Sequence, residues 1–307
     1  MTEGALVAES RGVLAHHARS FRWGAWFLPK GAHDDAAVTY AFCRLVDDVV
    51  DEAASEQEAA DGVEQLEGEL TGTHPASDLI RGFSEVMTRQ EGSLDPAFEL
   101  IKGVRSDLGE QIVQTEGELL TYCYRVAGTV GLMMCQVLRV NDPRALPHAI
   151  DLGIGMQLTN IARDVKEDAE RGRVYIPAEI LALHGLTPEE VLSGTCNKRA
   201  LSNAVRWLYE LGERYYRSAE QGMRFIPWRP RLAIFVASRT YRGIGVKLAR
   251  RGFDAMAGRV VVPWYEKCFW VGHGLAGALA TLVSKSYRSH SAQLHQALRG
   301  LPGCASV

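Results

Sequence analysis

The chain has 307 residues, 47% of them apolar and 23% charged, with a net charge of −3. That length and composition fit a globular protein of one or two domains, and the near-neutral balance lacks the basic field that nucleic-acid binding needs. No nucleic-acid partner is therefore expected.

Helical periodicity recurs along the chain, while strand alternation is nearly absent. In chain order, helices are predicted over Glu3–His17, Ala36–Glu52, Glu56–Leu70, Ser77–Arg89, Pro96–Gln114, Glu118–Leu138, Pro147–Glu170, Pro188–Gly222, Pro230–Arg251 and Val262–Ser284. Between them stand helix-stopping residues, such as Leu28-Pro29-Lys30-Gly31, Asn141-Asp142-Pro143, Gly172 and Ile226-Pro227-Trp228-Arg229-Pro230. No linker or repeat divides the pattern, so one all-α domain over 1–307 is expected, with a core at about 10–285 and a partly ordered tail over 290–307. The longest apolar run, Gly274 to Val283, is far shorter than the roughly 20 residues of a spanning helix. The opening Met-Thr-Glu-Gly lacks the basic-then-apolar profile of a secretion signal. The six cysteines contain no CxxC pair, so free thiols in a reducing cytoplasm are expected.

Two acidic helices carry most of the chemical information. The first reads Tyr40-Ala-Phe-Cys43-Arg44-Leu-Val-Asp47-Asp48-Val-Val-Asp51-Glu52, and the second Gln157-Leu-Thr-Asn160-Ile-Ala-Arg163-Asp164-Val-Lys-Glu-Asp168. At about 100° per residue, Tyr40, Arg44, Asp47 and Asp51 fall in one stripe. Gln157, Asn160, Asp164 and Asp168 fall in another, flanked by Arg163. A lone Asp-x-x-x-Asp is more often a solvated helix face. Two copies, each preceded by a polar residue and an arginine on an apolar-flanked helix, reverse those odds. Inward-facing carboxylates must be paired or metal-bound, and Mg2+ held by a few carboxylates commonly bridges to substrate phosphates.

Three further segments fit a phosphate site. His17-Ala18-Arg19-Ser20-Phe21-Arg22 places a hydroxyl and two guanidiniums at a helix end, before Trp23, Trp26 and Phe27; guanidinium forks suit phosphate oxygens, and a basic surface turn is an equal reading. Tyr122-Cys-Tyr124-Arg125-Val126-Ala127-Gly128-Thr129-Val130-Gly131 has small residues that let helices pack closely or leave a cavity wall, close packing being favoured from this segment alone. Arg171-Gly172-Arg173-Val-Tyr175-Ile-Pro177 follows the second stripe and can bring cations over it.

Taken together, these segments resemble the squalene and phytoene synthase family of head-to-head prenyl transferases, from about residue 10 to 285 and in the family's motif order. Asn160 to Pro177 is similar to the signature of its bacterial phytoene synthase branch over the whole stretch. The resemblance implies a single antiparallel helical bundle of the trans-isoprenyl diphosphate synthase type around a central apolar cavity. It implies metal ligation by Asp47, Asp51, Asn160, Asp164 and Asp168, with Mg2+ as the ion and Mn2+ as the alternative. It also implies prenyl diphosphate contacts from His17, Ser20, Tyr40, Arg44, Gln157, Arg163 and Tyr241, and places Tyr122 and Tyr175 near the reacting carbons. Where family members often carry a second hydroxyl before Ser20, this chain has Ala18, which removes one phosphate contact and no metal ligand.

The expected reaction joins two C20 geranylgeranyl diphosphates through a cyclopropyl diphosphate to 15-cis-phytoene, in carotenoid biosynthesis. Ala25 and Ala37 stand where C15-using relatives carry bulky side chains, and Ala37 lies ten residues before Asp47, about 15 Å along a helix. The alternatives are C15-using squalene, dehydrosqualene or hydroxysqualene synthesis and, from another class, a catalytically silent assembly factor, which should have lost metal ligands that this chain keeps. No Gly-x-Gly-x-x-Gly follows a strand, so no NADPH is expected. Trp264, Phe269 and Trp270 read first as core residues. Peripheral membrane association for product release is compatible with an enzyme, and the sequence leaves oligomeric state open.

Overall fold

The computed structural model describes residues 3–17, 28, 30–283 and 288–304. Ser20 and Ala25, with Ala18, Arg19, Arg22 and the Trp23, Trp26 and Phe27 cluster, lie outside the described residues, as does the side chain of His17.

Helices α1 (Glu3–His17), α2 (Lys30–Asp51), α3 (Glu56–Thr71), α4 (Asp78–Arg89) and α5 (Asp95–Arg105) form one half of the fold. Their amphipathic faces meet in a core around Phe42, Val46 and Phe83, where the Phe42 and Phe83 rings stack at 3.9 Å. A second core surrounds α8 (Ala145–Glu170). Helix α8 packs along α11 (Lys198–Gly222) and against α7 (Thr129–Val137) and α12 (Trp228–Arg250), and α12 packs against α13 (Trp264–Val283). Val126 packs against both cores. Among the described residues no helix is long and apolar enough to cross a membrane.

Several boundaries differ from the periodic pattern. The helix predicted over Pro96–Gln114 stops at Arg105. It is followed by a two-residue strand, β1 (Gln111–Ile112), which pairs in parallel with β2 (Arg173–Val174) in the register Gln111 to Arg173. So short a ladder leaves no alternation to read. The helix predicted over Glu118–Leu138 starts as α6 (Glu116–Cys123), capped by the Thr115 side chain, and passes through a π-helical turn at Tyr124–Gly128 into α7. The helix predicted over Pro188–Gly222 is two. A Thr187/Glu190 capping box starts α10 (Pro188–Leu192), Gly194 turns with φ 68°, and the Asn197 side chain caps α11 by accepting from the Arg199 and Ala200 N–H groups. Between β2 and α10, α9 (Ala178–Leu183) completes the described α-helices.

The small residues near Tyr122 serve close packing. A Cβ on Gly153 would sit 2.2 Å from the Ala127 carbonyl oxygen, and one on Gly131 would sit 2.3 Å from that of Ala149. Ala127 and Gly131 also line a cavity, so both readings of the segment hold. Trp264 and Phe269, expected in the core, are instead exposed, while Trp270 is half-buried. Their helix uses its small residues for contact, with Gly274 lying against the Val236 backbone. In the tail, a 3-10 segment (Ala292–Leu298) docks on the bundle. There the Tyr215 hydroxyl donates to the Leu294 carbonyl at 2.8 Å and the Tyr124 hydroxyl to that of Pro302 at 2.7 Å.

Candidate active site

A cavity of about 760 Å3 opens between the two cores, toward the upper end of the range for small-molecule sites. Helix α8 lines it with a stripe at helical spacing that starts at Ala145 and ends at Arg163. Eighteen residues at 1.5 Å make that wall about 27 Å long. The stripe is largely apolar up to Met156 and polar from Gln157 onward. Helix α2 changes in the same direction, from Ala36 through Tyr40 and Arg44 to Asp47, and α12 passes from Ala233 and Ala237 to Tyr241. One end is thus charged and the rest apolar.

The structure brings most of the predicted site residues to the charged end. Tyr40, Arg44, Asp47, Gln157, Asn160, Arg163 and Tyr241 all line the cavity. Asp164 and Asp168 follow on α8, half-buried, and Asp51 is exposed at the end of α2. At Asp164 the α8 backbone leaves helical geometry, with φ −105° and ψ 15°. Ala37 is fully buried in a small cluster with Leu14 and Tyr40, both of which line the cavity, as does Ala36.

Arginines hold the outer carboxylates. Arg163 grips both oxygens of Asp164, with Nε 2.6 Å from Oδ1, and Arg259 Nε approaches the same carboxylate at 3.4 Å. Asp51 pairs with Arg171 at 3.2 Å and with Arg173 at 3.1 Å. Arg44 pairs with Asp48. Asp47 and Asp168 are less compensated. Burial pushes Asp47 up to about 7 against the pull of Arg44, with Asp51, Asp48 and Asp107 adding repulsion. Asp168 is also raised to about 7, by burial and then by Asp164. Burial raises the Tyr40 hydroxyl to about 12.

Asp107 was missed by sequence reasoning. It repels both Asp47 and Asp168, which places it between the stripes. Its own carboxyl is pushed up to about 6, chiefly by burial. The Tyr122 hydroxyl donates to its Oδ2 at 2.9 Å and that of Tyr175 to its Oδ1 at 2.7 Å. The two rings stack at 4.6 Å. Neither tyrosine lines the cavity; both meet the acidic cluster through Asp107. Asp107 lies past the end of α5 and carries no Asp-x-x-x-Asp repeat like those of the two stripes, so that pattern did not mark it.

The donor set suits a hard divalent cation. All its candidate ligands are oxygens, and the buried Asn160 Oδ1 accepts no hydrogen bond while its Nδ2 donates to Gln157 Oε1 at 3.2 Å. Among the described residues, no three of these carboxylates bring oxygens within 4.8 Å of one another. Such a spread suits ions completed by substrate phosphate and not an all-protein cage.

A pH dependence follows. Asp47 and Asp168 titrate near 7 in the fold, against a usual value of 3.8. The folded state binds these protons more tightly, so their stabilising contribution is complete below the usual value and is lost as pH rises through about 7. A divalent cation bound by these carboxylates would replace those protons. Mg2+ should therefore raise the melting temperature of metal-free protein more at pH 8 than at pH 6. Equal shifts at both pH values would contradict this reading of the cluster.

Comparison with known proteins agrees with this geometry. The squalene/phytoene synthase family profile matches residues 14–266. The 15-cis-phytoene synthase of Enterobacter agglomerans is 36% identical over 292 residues, covering 91% of this chain and 98% of that protein. The phytoene synthase of Cereibacter sphaeroides is 33% identical, covering 85% of this chain and 77% of its own length. A crystal structure of a dehydrosqualene synthase in complex with ligand superposes with a TM-score of 0.79 at 25% identity, covering 91% and 98% of the two chains. A squalene synthase from Alicyclobacillus acidocaldarius shares the fold, with a TM-score of 0.70 at 21% identity over 81% and 95%. With two aspartate stripes at the mouth of an apolar cavity in an all-α bundle, and a family match spanning most of its length, the chain belongs to the squalene/phytoene synthase family.

Proposed function

We propose that the protein is a prenyltransferase that condenses two geranylgeranyl diphosphates head to head, through a cyclopropyl diphosphate, to 15-cis-phytoene and diphosphate, a step of carotenoid biosynthesis. The observation that carries the reading is the long cavity, apolar along its depth and charged at one end, in a chain 36% identical to a 15-cis-phytoene synthase over 91% of its length. C15-using synthesis is not favoured, since the relatives at higher identity are phytoene synthases.

Diphosphate leaves poorly until its charge is neutralised. Mg2+ held by Asp47, Asp51, Asn160, Asp164 and Asp168, or Mn2+ in its place, supplies that Lewis-acid neutralisation when bound. The guanidinium of Arg163, which pairs with Asp164, would donate to phosphate oxygens beside Tyr40, Arg44, Gln157 and Tyr241. His17 and Ser20 complete the contacts expected from the sequence. The apolar wall from Ala145 to Met156 keeps water from the allylic cation that ionisation leaves. The double bond of the second donor captures this cation, and the cyclopropane ring closes with loss of one proton to the departed diphosphate; the cyclopropyl diphosphate then ionises, rearranges and loses a second proton to a diphosphate. Tyr122 and Tyr175 act through Asp107, which they hold between the two stripes.

Peripheral association with a membrane suits so apolar a product. Trp264, Tyr265 and Phe269 are exposed just after Val260, Val261 and Val262, which line the cavity. Purified protein with C20 diphosphate and Mg2+ should form a C40 hydrocarbon without NADPH, and EDTA should stop the reaction until Mg2+ is restored. In the same incubation with lipid vesicles, the protein should sediment with the lipid. A product seen only with NADPH would move the assignment to squalene synthesis, and full activity in EDTA would remove the metal from the account.

A further inference from the structure

Away from the acidic stripes, Asp151 on α8 is fully buried. A buried carboxylate demands compensation, yet its ion-pair partners among the described residues are both imidazoles. His290 Nε2 lies 3.0 Å from its Oδ2 and His295 Nε2 lies 2.8 Å from its Oδ1. These hydrogen bonds outweigh burial and hold the Asp151 carboxyl below the usual range. The three donor atoms lie within 4.8 Å of one another. The His290 and His295 rings sit 4.3 Å apart, and the buried His148 ring is 5.3 Å from that of His290. The Cys304 thiol is pushed up to about 12 by burial and then by Asp151.

Two imidazole nitrogens and one carboxylate form a borderline donor set that suits zinc, whereas Mg2+ prefers oxygen alone. An ion about 2.0 to 2.1 Å from each tetrahedral ligand needs ligand atoms roughly 3.3 Å apart. The two nitrogen–oxygen separations, 3.0 and 2.8 Å, therefore have to open by only a few tenths of an ångström. We propose that Asp151, His290 and His295 bind one zinc ion, separate from the cation of the acidic stripes, which fastens the C-terminal segment to α8. The ligands lie 139 and 144 positions apart in sequence, so the ion would close a loop through half of the chain.

The test strips full-length protein with a strong chelator, removes the chelator, and measures zinc uptake by equilibrium dialysis and elemental analysis in excess Mg2+. Wild type should take up one equivalent, and Co2+ in its place should give the visible absorption of a tetrahedral site. His290→Ala and His295→Ala should each weaken uptake at least about tenfold with unchanged circular dichroism, while Asp164→Ala takes up zinc as wild type does. No uptake by wild type overturns the proposal without reliance on any variant. Uptake that survives both histidine substitutions, or is lost in Asp164→Ala, assigns the zinc to another site and overturns it equally.

Discussion

Replacing Asp47 or Asp164 with alanine is expected to lower turnover at least about a hundredfold, the scale of losing one preorganised charge-stabilising group. Under the proposed function, each substitution removes a candidate ligand from the cation that would neutralise the departing diphosphate. Their effects on stability should part. Asp47 carries a carboxyl raised to about 7 by burial, with other carboxylates repelling it, so Asp47→Ala relieves strain and should raise the melting temperature of metal-free protein at pH 8. Asp164 holds Arg163, whose side chain is only 11% exposed. Asp164→Ala strands that buried cation and should lower the melting temperature. Activity within tenfold of wild type in either variant would sink the two-stripe account, and melting shifts of the opposite signs would sink its electrostatics.

The second large effect concerns donor length. Ala149 and Ala145 both line the cavity on α8. They stand 11 and 15 residues before Asn160, about 16 and 22 Å along the helix. The nearer depth is comparable to a C15 chain, and a C20 chain must pass it. Ala149→Phe should therefore lower turnover of C20 donor at least tenfold more than turnover of C15 donor. Ala145→Phe, deeper in the cavity, should disturb the ratio less. Steady-state rates with each donor, on variants whose melting is unchanged, read this directly. A C20 to C15 ratio unaltered by Ala149→Phe would mean that the tail does not run along α8.

How much of this was legible in the sequence depends on whether the information is local. The helices announce themselves because burying one face imposes a 3.6-residue period. The two stripes show for the same reason: Tyr40 with Arg44 and Asp47, and Gln157 with Asn160, recur at helical spacing and line one cavity. The breaks after Arg105 and Leu192 were hidden because a few turn residues or a two-residue ladder carry no period. Asp107 and Asp151 were invisible for a deeper reason. Their partners come from distant segments, Tyr122 and Tyr175 for the one and His290 and His295 for the other, and no one-dimensional spacing records such meetings. The exposure of Trp264 and Phe269 was misread because composition favours burying large aromatics, while α13 makes part of its contact through glycine.

The most direct measurement offers purified protein an equimolar mixture of C15 and C20 diphosphates with Mg2+ and no NADPH, and identifies the hydrocarbons by mass spectrometry. A cavity wall about 27 Å long and the likeness to phytoene synthases predict a C40 hydrocarbon with the retention and spectrum of 15-cis-phytoene as the main product. A C30 hydrocarbon with the C20 donor left unconsumed would contradict the account.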